Sequence, residues 1–285
     1  MITGTAIVTG AGSGIGRALA HGLADRGVRV FCTDVDGASA EETARSCGGD
    51  FSALDVTNAS AFGELVARVD RDHGLAYLFN NAGIAVGGEA QSLGPEDWQR
   101  VLDVNLQGTI HGVTAAYPRM LARGRGHILN VASIAGLVPY PLSVPYTTSK
   151  HAVVGLSLAL RAEGAARGVR VSVACPGTID TAIWHRSEVR GFDRQRVIEW
   201  LGKPTTAKAC ANAILRGVEK NRGVIVVGND ARLAWLVQRA SPRLGTWLHT
   251  RLVGLARERF VVKPAEEPIR SPAADPRTSS RTSWR

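Results

Sequence analysis

The sequence predicts an α/β protein: one doubly wound, seven-stranded parallel sheet with helices on both faces. Three observations carry this. Short β-branched runs alternate with helix-length segments over the first 230 of the 285 residues. Those runs are apolar nearly throughout, as strands are when both faces of their sheet are covered. A glycine-rich turn joins the first run to the first helix. With 45% hydrophobic residues the chain can bury a sizeable core.

The first strand is read in "TAIVTG" from Thr5, and the first helix runs from about Ile15 to Arg26. "VRVFCTD" is the second strand. "DFSALDV", "LAYLFNNAG", "GHILNVAS", "VRVSVACPG" and "GVIVVG" complete the seven. Helices with a 3.6-residue apolar period fall at 58–72, 95–122, 146–168 and 205–220. Residues 1–230 therefore read as one domain, and 231–263 as a basic, amphipathic helical extension. Residues 264–285 hold Pro264, Pro268, Pro272 and Pro276 among Ser, Thr and Arg, and are expected to be a disordered tail. In the extension, Leu244, Leu248, Leu252 and Leu255 share one stripe, with Arg239, Arg243, Arg251 and Arg257 mostly off it. A helical pair packed on the parent domain or on a neighbouring subunit, with partial lid function, is the expectation there. Peripheral membrane contact through 231–260 is the second reading.

The net charge of +9 is mostly a C-terminal matter, which argues against a nucleic-acid-binding face. Cys32, Cys47, Cys175 and Cys210 are far apart and form no metal-binding spacing. The scattered histidines show none either, so no metal is expected. Reduced thiols, no export signal and no membrane-length apolar run point to a cytoplasmic protein.

The turn "TGAGSGIGRALA" spaces Gly10, Gly14 and Gly16 between a strand and a helix N-terminus. Glycines there let the backbone approach a pyrophosphate, which then meets free N–H groups. This predicts a Rossmann-type dinucleotide site. Asp34 ends the second strand, where a carboxylate accepts from ribose hydroxyls and repels a 2′-phosphate. No Arg or Lys lies from residue 30 to 44, so NAD is expected rather than NADP.

The stretch "PYTTSK" puts Tyr146 and Lys150 one helical turn apart after Pro145. With the loop at Thr9 to Gly16, "NNAG" at Asn80 to Gly83, Ser133 in "NVAS" and "PGTIDT" at 176–181, this pair resembles the short-chain dehydrogenase/reductase family. The resemblance covers roughly residues 3 to 228. It implies that Asn105, Ser133, Tyr146 and Lys150 are catalytic, with Tyr146 as general acid/base and Lys150 also bonding the nicotinamide ribose. Asn105 would hold a water in a proton relay. It implies cofactor contacts from Gly10, Ser13, Gly14, Ile15, Gly16, Asp34, Asp55, Val56, Asn81, Ala82, Gly83, Tyr146, Lys150, Pro176, Gly177, Ile179 and Thr181. A homo-oligomer is expected.

The expected pocket walls are mostly apolar: Ile84, Val86, Ile134, Leu137, Val138, Tyr140, Leu142, Val144, Ile183 and Trp184. No Arg or Lys occurs at 134–144, so a small hydrophobic alcohol or ketone is the expected substrate. The reading is an NAD-dependent oxidoreductase interconverting a secondary alcohol and a ketone. Its alternatives are an NADP-dependent carbonyl reductase and a non-catalytic dinucleotide-sensing protein. A nucleotide-sugar epimerase shares the Tyr-Lys spacing, but no sugar-nucleotide domain follows residue 230.

Overall fold

A computed structural model describes residues 2–181, 183, 187–200 and 204–261. The predicted strands form one sheet: β1 (Thr5–Thr9), β2 (Arg29–Asp34), β3 (Asp50–Ala53), β4 (Leu75–Asn80), β5 (Gly126–Val131), β6 (Val169–Pro176) and β7 (Val224–Val227). Their order is β3-β2-β1-β4-β5-β6-β7, every pairing parallel. Parallel neighbours need crossovers, and the helices supply them. These are α1 (Gly14–Ala24), α2 (Gly37–Cys47), α3 (Ala59–His73), α4 (Pro95–Leu102), α5 (Gly108–Arg123), α6 (Val144–Ala165), α7 (Arg194–Trp200) and α8 (Ala207–Glu219). Two more, α9 (Asn229–Ala240) and α10 (Pro242–Phe260), follow β7.

Successive strand residues face opposite sides, so each strand feeds two cores. In β1, Val8 joins Leu19, Leu23, Ile214 and Leu215 of α1 and α8. Ile7 joins Phe62, Val113 and Met120 of α3 and α5 on the other face. Both β1 side chains are fully buried, which is why the strand shows no polar alternation. The winding direction reverses between β1 and β4, and a crevice opens there beyond the carboxyl ends of the strands.

Four features depart from the sequence reading. The single helix expected over 95–122 is α4 and α5 joined through a π-turn at Asp103–Gln107, which holds Asn105. Strand β3 stops at Ala53, because Asp55 Oδ1 captures the backbone N–H and hydroxyl of Thr57 in a tight turn. Two short parallel pairs, Val86–Gly87 with Glu188–Val189 and Ile179–Asp180 with Thr205–Thr206, tie the loops beyond the sheet edge. Two residues are too few for any period to show.

The fourth departure is the leucine stripe. Helix α10 starts at Pro242, with Ser241 Oγ accepting from Leu244 N. It buries Gly245, Ala256 and Phe260, while Leu244, Leu248, Leu252 and Leu255 stay exposed. Among the described residues the helix meets the parent domain through Ala256 and Phe260, which pack with Phe192 and Leu142, and the stripe itself is left exposed. The expected tail at 264–285 lies outside the described residues.

Candidate active site

The loop from β1 to α1 and the end of β4 are stitched together. Thr9 Oγ accepts from Asn81 N at 2.9 Å and Ala82 N at 3.1 Å. Asn81 Nδ2 donates to Thr9 O at 2.9 Å and Gly10 O at 3.2 Å. A Cβ at Gly16 would lie 2.0 Å from Gly10 O, and one at Gly10 2.9 Å from Ala82 Cα. The backbone here is packed to a closeness that no side chain permits. Ser13 precedes α1 without capping it, and the first turn of Gly14, Ile15 and Gly16 carries no acidic residue. Free N–H groups at a helix start, beside a loop of glycines, form a cradle for a pyrophosphate. The residues present fit a dinucleotide.

Asp34 stands where β2 ends. Its carboxylate accepts from Gly12 N at 2.9 Å and Asp36 N at 3.1 Å. A Cβ on Gly12 would meet Asp34 Oδ2 at 2.8 Å, so Gly12 belongs to this set although its spacing gave no signal. Asp55 has one oxygen committed to Thr57. Val56 is buried against Gly108, and its carbonyl lies 3.0 Å from His111 Nδ1. On the opposite side of the crevice, Gly177 N donates to Val227 O at 2.8 Å and follows Pro176 out of β6. Ile179 is buried, and Thr181 Cγ2 stands 3.1 Å from where a Gly14 Cβ would be. The two loops thus meet at Gly14 and Thr181.

Ser133 follows β5 and opens a 3₁₀ turn, with its Oγ accepting from Ala135 N at 3.2 Å. Tyr146 and Lys150 lie in the first two turns of α6, which Pro145 starts. Burial holds the Tyr146 phenol above its ordinary pKa, and the neighbouring Ser133 side chain offsets this only in part. Lys150 Nζ donates to Val131 O at 2.9 Å and sits 5.5 Å from the centroid of the Tyr146 ring. Burial pushes the Lys150 ammonium down to about 8. The nearness of Lys150 does not reverse the upward push of burial on the phenol.

Asn105 is fully buried, and its side chain is engaged on every side. Its Oδ1 accepts from Ile84 N, while Nδ2 donates to Ile84 O and to Ser149 Oγ, all between 2.9 and 3.1 Å. Ser149 Oγ in turn donates to Tyr146 O at 2.7 Å. A Cβ at Gly83 would lie 3.2 Å from Asn105 Oδ1 and 3.4 Å from Lys150 Nζ, so these three meet. The side chain of Asn105 is a brace between the β4 loop and α6, which its place in the sequence did not reveal. Asp230 was missed too: its Oδ2 takes Thr178 N at 3.3 Å and lies 2.6 Å from a Cβ built on Gly177.

The expected pocket residues divide. Val86 and Val138 are buried, and Ile84, Trp98 and Tyr146 pack around Val86 and Val101. Leu142, at φ 60°, packs with Phe192, Ala256 and Phe260, so the end of α10 reaches this wall. Trp184 lies outside the described residues. Arg190 is paired with Asp97 at 2.9 Å, Arg100 with Glu188 at 2.9 Å, and Arg257 with Glu89 at 2.5 Å.

The short chain dehydrogenase family model matches residues 4–190. The chain is 38% identical to the D-threitol dehydrogenase of Mycolicibacterium smegmatis, over 64% of this chain and 72% of that one. It is 32% identical to the D-beta-hydroxybutyrate dehydrogenase of Rhizobium meliloti, over 72% and 85%. A short chain dehydrogenase/reductase from Burkholderia phymatum, solved in complex with NAD, superposes with a TM-score of 0.75 at 28% identity, covering 92% and 98% of the two chains. With a matched segment that spans the glycine loop, Ser133, Tyr146 and Lys150, the chain belongs to the short-chain dehydrogenase/reductase family of oxidoreductases.

Proposed function

We propose that the protein interconverts a hydrophobic, uncharged secondary alcohol and its ketone, using NAD, with Tyr146 as general acid/base. The observation that carries this is the meeting of Ser133, Tyr146 and Lys150 at the carboxyl edge of the sheet, beside the glycine loop. NAD, when bound, supplies or accepts the hydride.

The chain's own residues handle the proton. Ser133 Oγ holds the substrate oxygen beside the phenol of Tyr146. In oxidation Tyr146 Oη takes the hydroxyl proton, and in reduction it returns one to the carbonyl oxygen. A buried phenolate needs a neighbouring cation, and Lys150, with a pKa near 8, is still mostly charged at neutral pH. Asn105 and Ser149 fix the backbone at Ile84 and Tyr146, which keeps the donors in line. The Asn105 side chain is engaged with Ile84 and Ser149 and its carbonyl accepts from Thr109 Oγ1 at 2.8 Å, so its contribution to the relay is to brace the β4 loop against α6. Asp34 at the end of β2 supports NAD over NADP.

The names of two relatives, dehydrogenases of threitol and of hydroxybutyrate, support alcohol oxidation. Arg100 and Arg190 are already neutralised by carboxylates, which favours an uncharged substrate over a hydroxy acid. The test is a panel of apolar secondary alcohols with NAD, read by absorbance of the reduced cofactor. Turnover confined to hydroxy acids, or absent with every alcohol and ketone while NAD binds, would overturn the proposal.

A further inference from the structure

The apolar stripe of α10 is left exposed among the described residues. Leu244, Leu248, Leu252 and Leu255 recur at steps of four, four and three, and each is at least 38% exposed. Trp247 beside them is 53% exposed, and Leu233 and Leu236 on α9 are 65% and 59% exposed. Scattered single leucines would need no explanation, but seven large apolar side chains on two consecutive helices do.

The charge around the stripe is predominantly positive. Arg232, Arg239, Arg243, Arg251 and Arg259 are all exposed, and among the described residues none has a carboxylate partner. Arg239 lies over the Trp235 ring at 5.1 Å and Arg251 over Trp247 at 5.4 Å. Of the acids on these helices, Asp230 is held by the loop at Thr178, which leaves Glu258. We infer that α9 and α10 form a docking surface for an anionic lipid bilayer, with the leucines and Trp247 seated at the acyl boundary and the arginines at the headgroups.

The charge decides between this occupant and a second copy of the chain. A two-fold contact places the same net-positive patch on both sides, so like charge would be brought together across it. An anionic bilayer complements the arginines and takes up the leucines together. Arg259 falls on the stripe at its C-terminal end, and its long stem lets the guanidinium reach headgroups while the leucines stay seated. None of the described helices is long and apolar enough to cross a membrane, so the contact is peripheral. The inference does not depend on the proposed reaction. It would, however, bring the wall at Leu142 and Phe192 close to the lipid, because α10 ends on it.

The test is sedimentation of the full chain with phosphatidylglycerol vesicles and with phosphatidylcholine vesicles, at low and high salt. Sedimentation velocity without lipid and NAD binding are measured alongside. The expected result is co-sedimentation with the anionic vesicles, weakened by salt. Leu248→Glu with Leu252→Glu, both exposed, should cut it by about tenfold or more without changing NAD binding. Absence of binding would overturn the inference. So would binding that survives the leucine changes, since charge alone would then explain it. A drop in sedimentation coefficient of the leucine variant without lipid would assign the stripe to a second copy instead.

Discussion

A phenol with an ordinary pKa near 10 is a poor base at neutral pH, and burial moves Tyr146 further from that role. Its use as a base depends on cations brought beside it, and Lys150 is the one the chain supplies. Tyr146→Phe should therefore cut kcat by at least about 10³-fold with NAD affinity nearly unchanged; near-normal turnover in the purified variant would remove the phenol from the mechanism. Lys150→Ala should lose activity and also weaken NAD binding, measured by fluorescence titration, because one ammonium serves both partners. Asp34 bonds Gly12 N, and its neighbour Val35 is 74% exposed. Asp34→Ser with Val35→Arg should shift the NAD/NADP ratio of kcat/KM toward NADP, since the repelling carboxylate goes and a guanidinium arrives. A native enzyme that already prefers NADP would show the reading of Asp34 to be wrong. At this scale much was legible, because Ser133, Tyr146, Lys150 and Asp34 sit at fixed offsets in short motifs. Asp230, Ser149 and Gly12 were not, because their partners are remote in sequence or are backbone atoms.

At the scale of elements, two glycines of similar appearance behave differently. A Cβ at Gly16 would sit 2.0 Å from Gly10 O and 2.5 Å from Asn81 Nδ2, whereas Gly63 on α3 has open space around it. Gly16→Ala should weaken NAD binding by about tenfold or more, as the loop moves off the end of β4. Gly63→Ala should leave binding unchanged and raise stability by up to about 1 kcal/mol. Equal effects of the two on NAD affinity would deny the loop its special closeness. The end of α10 is a second case. Phe260, 6% exposed, packs with Phe192 and Leu142, and Phe260 O accepts from Asp193 N at 2.8 Å. Phe260→Ala should raise KM for a bulky apolar alcohol more than for a small one, with little change in NAD affinity. Equal rises would leave the contact a purely structural one.

For the molecule as a whole, the sheet holds a buried histidine that should shape its acid stability. His127 on β5 is 4% exposed, with Nε2 2.8 Å from Ser172 Oγ. Burial first, and then the charges of Arg170 and Arg161, push its pKa down to about 4. The unfolded chain binds this proton near pH 6.5 and the folded chain does not, so the contribution is present above about 6.5 and is lost as pH falls toward 4. The full loss is about 3 kcal/mol for a shift of this size. His127→Gln should flatten the decline of Tm between about pH 6.5 and 4, measured by calorimetry, even if Tm at neutral pH is lower. An unchanged slope would mean that other groups govern acid unfolding.

The sequence by itself determined the class of the fold and the seven strands of the main sheet. Alternating apolar runs and helical periods are properties of neighbours in the chain, and they survive whatever the rest of the molecule does. It also determined the glycine loop and the Tyr-Lys pair, since each is a spacing within one element. Only the tertiary structure decided which side chains the site braces against and which surface is left open. The stripe of α10 shows why: a leucine period states that a face is apolar, but not what it meets. Phe260 and Ala256 found Phe192 and Leu142, 64 and more residues away, while the leucines beside them found no partner in the described chain. Contacts of that kind are set by how the sheet carries α9 and α10 past its edge, which no local pattern records.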